Sequence, residues 1–464
     1  MRKKILPTLL FIMFFRFAPA ATAMEIFKSE FVPFLPDSIR DKAAYLRYTV
    51  SHQELLRSTR NDTVLSRYSL RQQELKFYFP SGNMEVAGII RRSVPNMDDL
   101  FNSEYTSAAF RPLHYFFGLS PSFSFSDWQI IPDLAYAFSA FSDTVRVLKY
   151  PRSEKAAYNN YFFNLLPETF GDTLPYQYQL HHWQAGLQAR KNSPFGPFFL
   201  SYRYKASRNM LTESHVNTGP YPKLAGPRES RILLGSDRHI LSAAWQAGNF
   251  SLLSLEYRFT RIPLDWRHRI FPDTPDTLEI VKLAEASVKN QDFRAAFRYQ
   301  NKSFQIETHA GGAFFRGDLF VSTPVLGYLF RILPISHQGT AEADISYGYL
   351  YSNAAYAFEA GPLCFRPRLD LYAARFYSKL MLDAQLEFGL EDIQFEQNYI
   401  HALYLIVPSL YGEIPLNREL LLYLNAEQVL PFFRTVYPEP EPQPPSDIRR
   451  YGGLSVEAGI AFRW

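Results

Sequence analysis

The chain has 464 residues, 49 Lys+Arg against 45 Asp+Glu, 47% hydrophobic and 16% aromatic residues, with 41 Phe, 30 Tyr and one cysteine, Cys364. A single cysteine excludes an intramolecular disulfide and a cysteine-built metal site, and after the N-terminus no stretch approaches the ~18 uncharged apolar residues of a membrane helix. The formal charge of +4 resides in Arg2, Lys3, Lys4 and Arg16, so the remainder is neutral and nothing points to nucleic acid or acidic substrates.

Residues 1–23 have the order of an export signal. Arg2, Lys3 and Lys4 precede the apolar run Ile5 to Phe15, and Ala18-Pro19-Ala20-Ala21-Thr22-Ala23 offers small residues before a cleavage point after Ala23. Residues 24–43, with Pro33, Pro36 and Asp37, are expected as a periplasmic or lumenal extension.

From residue 44 the pattern has a period of two. Trp183, Ala185, Leu187 and Ala189 alternate with Gln184, Gly186, Gln188 and Arg190, and Phe198, Leu200, Tyr202 and Tyr204 with Phe199, Ser201, Arg203 and Lys205. Leu253, Leu255, Tyr257 and Phe259 alternate with Ser254, Glu256, Arg258 and Thr260, and Phe293, Ala295, Phe297 and Tyr299 with Arg294, Ala296, Arg298 and Gln300. Ala341, Ala343, Ile345, Tyr347 and Tyr349 alternate with Glu342, Asp344, Ser346 and Gly348, and Leu454, Val456, Ala458, Ile460, Phe462 and Trp464 with Ser455, Glu457, Gly459, Ala461 and Arg463. Successive side chains of a strand point to opposite faces, so each segment is apolar on one side and polar or small on the other. Runs of about 9–12 residues suit tilted strands crossing a bilayer, whereas strands of soluble sandwiches average ~5–6.

Tight-turn signals at Ser81-Gly82-Asn83, Asn192-Ser193-Pro194, Gly248-Asn249, Asn301-Lys302 and Ser352-Asn353 alternate with long polar stretches at 95–112, 143–178, 209–236, 263–290, 317–339 and 431–450. The expectation is an all-β transmembrane antiparallel up-and-down barrel over 44–464. It has about 18 strands, with 14 and 16 as alternatives, short periplasmic turns and long extracellular loops. In this segmentation 341–351 and 354–360 are separate strands, as are 363–375 and 380–391. Pro132 and Pro408 fall awkwardly inside strands.

The alternating last strand ending on an aromatic, Ile460-Ala461-Phe462-Arg463-Trp464, resembles the terminal signal of bacterial outer-membrane β-barrel proteins. That family usually ends in Phe. The resemblance implies outer-membrane lipid as surroundings. It also implies that periplasmic chaperones and the barrel-assembly machinery read Phe462 and Trp464. It specifies no subfamily, and too few residues precede the first strand for an N-terminal plug domain.

The polar faces supply the candidate lumen-lining residues: Arg190, Arg203, Lys205, Glu256, Arg258, Arg294, Arg298, Glu307, His309, Glu342 and Asp344. So many ionisable groups cannot be buried dry and unpaired, so they require water or partners. Small polar solutes in passive, porin-like passage are the expected cargo. The alternatives are a binding or assembly barrel for surface polysaccharide or a partner protein, its lumen plugged by 24–43 or 143–178, and a rim-sited hydrolase. No spacing links His181, His182 or His268 to a nucleophile and an orienting acid. No catalytic residue, metal site or cofactor is therefore expected.

Overall fold

Aromatic and β-branched residues at every second position fit a pleated surface with one apolar face, and strand is what they form throughout. The structure is a computed structural model describing residues 44–59, 64–81, 83–98, 113–146, 173–217, 226–247, 251–270, 279–301, 303–322, 337–386, 393–437 and 448–463. The expected signal 1–23, the extension 24–43 and Trp464 lie outside the described residues.

The strands are, in chain order, β1 (Tyr45–Thr59), β2 (Val64–Ser81), β3 (Met84–Asp98), β4 (Leu113–Pro121), β5 (Phe123–Phe125) and β6 (Trp128–Arg146). Next come β7 (Thr173–Lys191), β8 (Phe198–Asn217), β9 (Gly226–Ala247), β10 (Ser251–Ile270), β11 (Glu279–Gln300) and β12 (Phe304–Ser322). The last are β13 (His337–Tyr356), β14 (Phe358–Ala360), β15 (Leu363–Leu386), β16 (Ile393–Pro415), β17 (Leu420–Tyr437) and β18 (Ile448–Arg463). All neighbours pair antiparallel, and β1 pairs with both β2 and β18, so the sheet closes on itself. Of the 18 segments, β5 and β14 are three residues long and continue β4 and β13, which leaves sixteen strands as the wall.

The eighteen segments are made up differently from the sequence expectation. Ser352-Asn353 is no turn. It lies inside β13, where Asn353 is 2% exposed and donates from Nδ2 to Tyr351 Oη at 2.6 Å. Residues 376–379 likewise lie inside the 24-residue β15. Each fusion alone would reverse every later strand; together they cancel, and β16 to β18 keep the expected direction.

The tight connections sit on one side: 126–127 between β5 and β6, 192–197, Asn301 to Ser303, 361–362 and 416–419. Ser126 (φ 53°) and Gly361 (φ 64°) take the left-handed backbone that such short reversals require. Asn301 Oδ1 accepts from the amides of Ser303 (3.0 Å) and Phe304 (2.7 Å), a side-chain mimic of a turn.

On the other side the wall reaches further than expected. β8 and β9 extend into the polar 209–236 stretch, and β10 and β11 into 263–290. Polarity is no strand breaker where both faces meet water. Pro263 is accommodated because Ile262 and Pro263 skip the ladder to β9, and Gly235 leaves room for its ring, where an added Cβ would lie 2.9 Å from Pro263 Cγ. Pro408 likewise falls in a gap of the β16–β17 ladder.

Candidate functional site: the inner wall

Exposure alternates along each strand and separates two faces. Outward are Leu46, Tyr48, Val50, Trp183, Leu187, Leu200, Leu241, Leu253, Leu255 (59% exposed), Phe293, Phe297, Leu424 and Ile460. A closed wall showing large apolar side chains outward on strand after strand is stable only in hydrocarbon. Phe138, His181 and Trp183, with Tyr202, Tyr204, His239 and Phe259, form clusters of rings toward the loop side. Tyr136 Oη with His181 Nδ1 and Tyr202 Oη with His239 Nδ1 are hydrogen-bonded at 2.8 Å, as amphipathic rings at a membrane interface are.

The inward face is polar and cross-linked. Opposite charges two residues apart share a face, so β10 pairs Glu256 with Arg258 and β11 pairs Asp292 with Arg294 (Nε to Oδ2, 2.6 Å). β15 pairs Arg368 with Asp370 (2.7 Å). Arg298 reaches across to Glu307 on β12 at 3.0 Å, and His309 Nε2 meets the other Glu307 oxygen at 2.6 Å. On β13, Tyr351 Oη donates to Asp370 Oδ1 at 2.6 Å and accepts from Arg368 and Asn353. The network continues around the seam, where Arg47 meets Glu457 on β18 and Tyr423 on β17, and where Glu74 holds Lys76 and Arg91, each at 2.6 Å. It is tightly covered: Asp292 and Tyr351 are 1% exposed and His309 0%.

The sector on β7 to β9 differs. Arg190, Arg203, Lys205 and Arg238 face inward there, with Lys205 directly opposite Arg238. Arg203 meets Asp133 of β6 at 3.2 Å, Arg238 donates to Thr260 at 3.2 Å, and Arg190 lies over the Phe199 ring at 5.5 Å.

Nine of the eleven candidates expected to line the lumen therefore sit on the inward face: Arg190, Arg203, Lys205, Glu256, Arg258, Arg294, Arg298, Glu307 and His309. Glu342 and Asp344 do not, and this is a correction. Both are exposed on the outer face, 48% and 51%, within 4.0 Å of Arg316. Their strand is turned the other way from the sequence expectation, with Tyr349 and Tyr351 buried inside and Leu350 half exposed outside. The reason lies across the ladder: Tyr349 stands opposite Gly311, its ring covering the glycine, and Tyr351 opposite His309. Tyrosine suits either face, so alternation of Tyr with Glu and Gly could not fix the direction. Phe462 is on the outer face (38% exposed), paired with Leu46 and Leu420.

The sequence reading had Glu457 facing inward and missed Arg47, Glu74, Asp133, Arg238, Asp292, Arg368 and Asp370. The signal that finds several of them is an acid and a base two apart in a strand, as in Asp292-x-Arg294 and Arg368-x-Asp370.

Fold and faces define the class: a transmembrane antiparallel β-barrel with a charged interior, of the outer-membrane architecture. No known family and no curated protein matches the sequence. Solved structures with a similar strand arrangement include the ferric-catecholate import receptor Fiu from E. coli K12, at 8% identity over 91% of this chain and 82% of that one (TM-score 0.38). The ferric yersiniabactin uptake receptor FyuA from Yersinia pestis shares 9% over 92% and 81% (0.37), and the P. putida toluene transporter TodX 9% over 92% of each chain (0.33). The class stands on this chain's own geometry.

Proposed function

We propose that this chain is a bacterial outer-membrane pore, exported by a signal cleaved after Ala23, through which small hydrophilic solutes pass passively. The observation that carries the reading is the inner wall, where ionisable side chains recur on nearly every strand while the outer face carries an apolar belt. Sixteen-stranded closure leaves room for an aqueous interior, and charges at that density hold water and orient polar solutes. The wall pairs acid with base over β10 to β15 and is richer in cations over β7 to β9, which gives the path a side that attracts anions. In this reading the protein makes and breaks no bonds and needs no cofactor. Its partners are membrane lipid, the transported solutes and the assembly factors that read the terminal strand.

The second reading is a binding or assembly barrel with a filled lumen, and one observation favours it: the near-complete burial of His309, Asp292 and Tyr351. Liposome swelling with sugars of graded size separates the two. A pore gives swelling rates that fall with sugar size; rates equal to those of protein-free liposomes remove the pore reading and leave the filled barrel.

A further inference from the structure

The outer face carries, on the loop side of its apolar belt, a row of cations in register. Arg261 on β10 is directly opposite Lys289 on β11, and Lys289 is directly opposite Arg316 on β12. All three are exposed. One step toward the tight turns, the same strands present Phe259, Gln291 and Phe314, the last 64% exposed, so the row lies where hydrocarbon ends.

Like charges directly opposite on neighbouring strands destabilise a sheet, and adjacent strands stand only ~4.8 Å apart. The wall offsets this only at the two ends of the row, where Asp237 stands opposite Arg261 and Asp344 opposite Arg316, and not between Arg261 and Lys289. Arg316 has Asp318, Glu342 and Asp344 only at 3.9 to 4.0 Å. Asp237, opposite Arg261 on the far side, is engaged by Arg208 at 3.1 Å and by Tyr204. Neither Arg261 nor Lys289 forms an ion pair among the described residues. The next rows outward on β10 to β12 carry Asp265, Glu285 and Asp318, which keeps the positive potential confined to this level.

We propose that Arg261, Lys289 and Arg316 form a docking row for the phosphate headgroup of a lipid in the loop-side leaflet, whose acyl chains lie on the apolar belt beneath. Two guanidinium forks flanking an ammonium supply directed and point-charge donors to phosphate oxygens, and the lipid anion offsets the repulsion along the row. This surface is on the opposite face of the wall from any solute path, so its occupancy is independent of conduction.

The test uses the full-length folded protein in neutral-detergent micelles, titrated with dioleoylphosphatidic acid or with dioleoylglycerol, which has the same chains without phosphate. Retained lipid is counted by native mass spectrometry. The unaltered protein is expected to retain the phosphate lipid in preference to the diglyceride. The triple variant Arg261→Gln, Lys289→Gln, Arg316→Gln should bind it on the order of 100-fold more weakly, at roughly 1 kcal/mol per cation. If the triple variant does not show heat-modifiable mobility, Lys289→Gln alone serves, with an expected loss of about fivefold. Lys379→Gln removes a cation of the same level that is paired with Glu396 at 2.8 Å, and should leave binding unchanged. Equal retention of the two lipids, no loss in the row variants, or an equal loss in Lys379→Gln would overturn the proposal. Saturation of the row by millimolar inorganic phosphate, with no added preference for the lipid, would also overturn it, because the site would then belong to a soluble anion.

Discussion

Gly311 and Gly459 show what single positions contribute on the inner face. A Cβ on Gly311 would lie 2.5 Å from both the Phe293 carbonyl oxygen and Tyr349 Oη, and one on Gly459 would collide with Tyr423 and the Tyr48 carbonyl. Each tyrosine ring therefore covers a glycine on the neighbouring strand and keeps its hydroxyl in the polar network. Gly311→Ala is expected to cost about 1–3 kcal/mol, the range for forcing extra volume into a packed site, read from refolding titrations into lipid. No loss would mean that Tyr349 can swing away freely. On the other face, Leu255 is 59% exposed between Leu253 and Tyr257. Leu255→Arg should cost about 2–4 kcal/mol if the side chain meets the bilayer midplane. A change within ~0.5 kcal/mol, the ordinary value for a surface site, would place it outside hydrocarbon.

At the scale of the strand, length and pairing govern. β10 has 20 residues, about 66 Å at ~3.3 Å per residue, and at a ~40° tilt rises about 50 Å against a hydrocarbon core of ~30 Å. The loop-side third of the wall must then stand in water or among headgroups, which accounts for the exposed pairs Arg208–Asp237 and Arg267–Asp265 on the outer face. In a Cys364→Ser background, Asp344→Cys should react with a membrane-impermeant thiol reagent added from the loop side and Leu255→Cys should not. The reverse pattern would mean that the faces are misassigned. The seam makes a second demand on an element. β18 joins β17 to β1, with Phe462 opposite Leu46 and Leu420, and an open edge in lipid leaves backbone groups unsatisfied. Deleting Phe462 to Trp464 is expected to block insertion, whereas Trp464→Phe is tolerated. Fractionation and heat-modifiable gel mobility are the measurements, and a truncated chain that still inserts as a folded species would show the terminus to be dispensable.

At the scale of the whole molecule, the inner wall is electrically uneven. Most acids meet a base, while Lys205 and Arg238 face each other across β8 and β9. Replacing both, Lys205→Glu with Arg238→Glu, is expected to shift the reversal potential in asymmetric salt toward cation preference by reversing the sign of that sector. An unchanged potential in a conducting barrel would place the path away from β8 and β9.

The two-residue period, the aromatic content and the tight-turn signals are local properties, and from them the sequence by itself determined an antiparallel membrane barrel and the facing of β7, β8, β10, β11 and β18. Across the apolar belt of those strands large apolar residues hold one face and polar, charged or small residues hold most of the other, so only one face can meet lipid. Tertiary structure alone decided the rest. Whether Ser352-Asn353 turns or continues depends on Asn353 finding Tyr351, and the facing of β13 depends on Gly311 and His309 across the ladder. Strand ends within 209–236 and 263–290 depend on a neighbour continuing the pairing into water. The first and last members of the row of Arg261, Lys289 and Arg316 are 55 positions apart in sequence, and the row exists only through register. Period is carried by each strand alone, whereas register is a relation between strands.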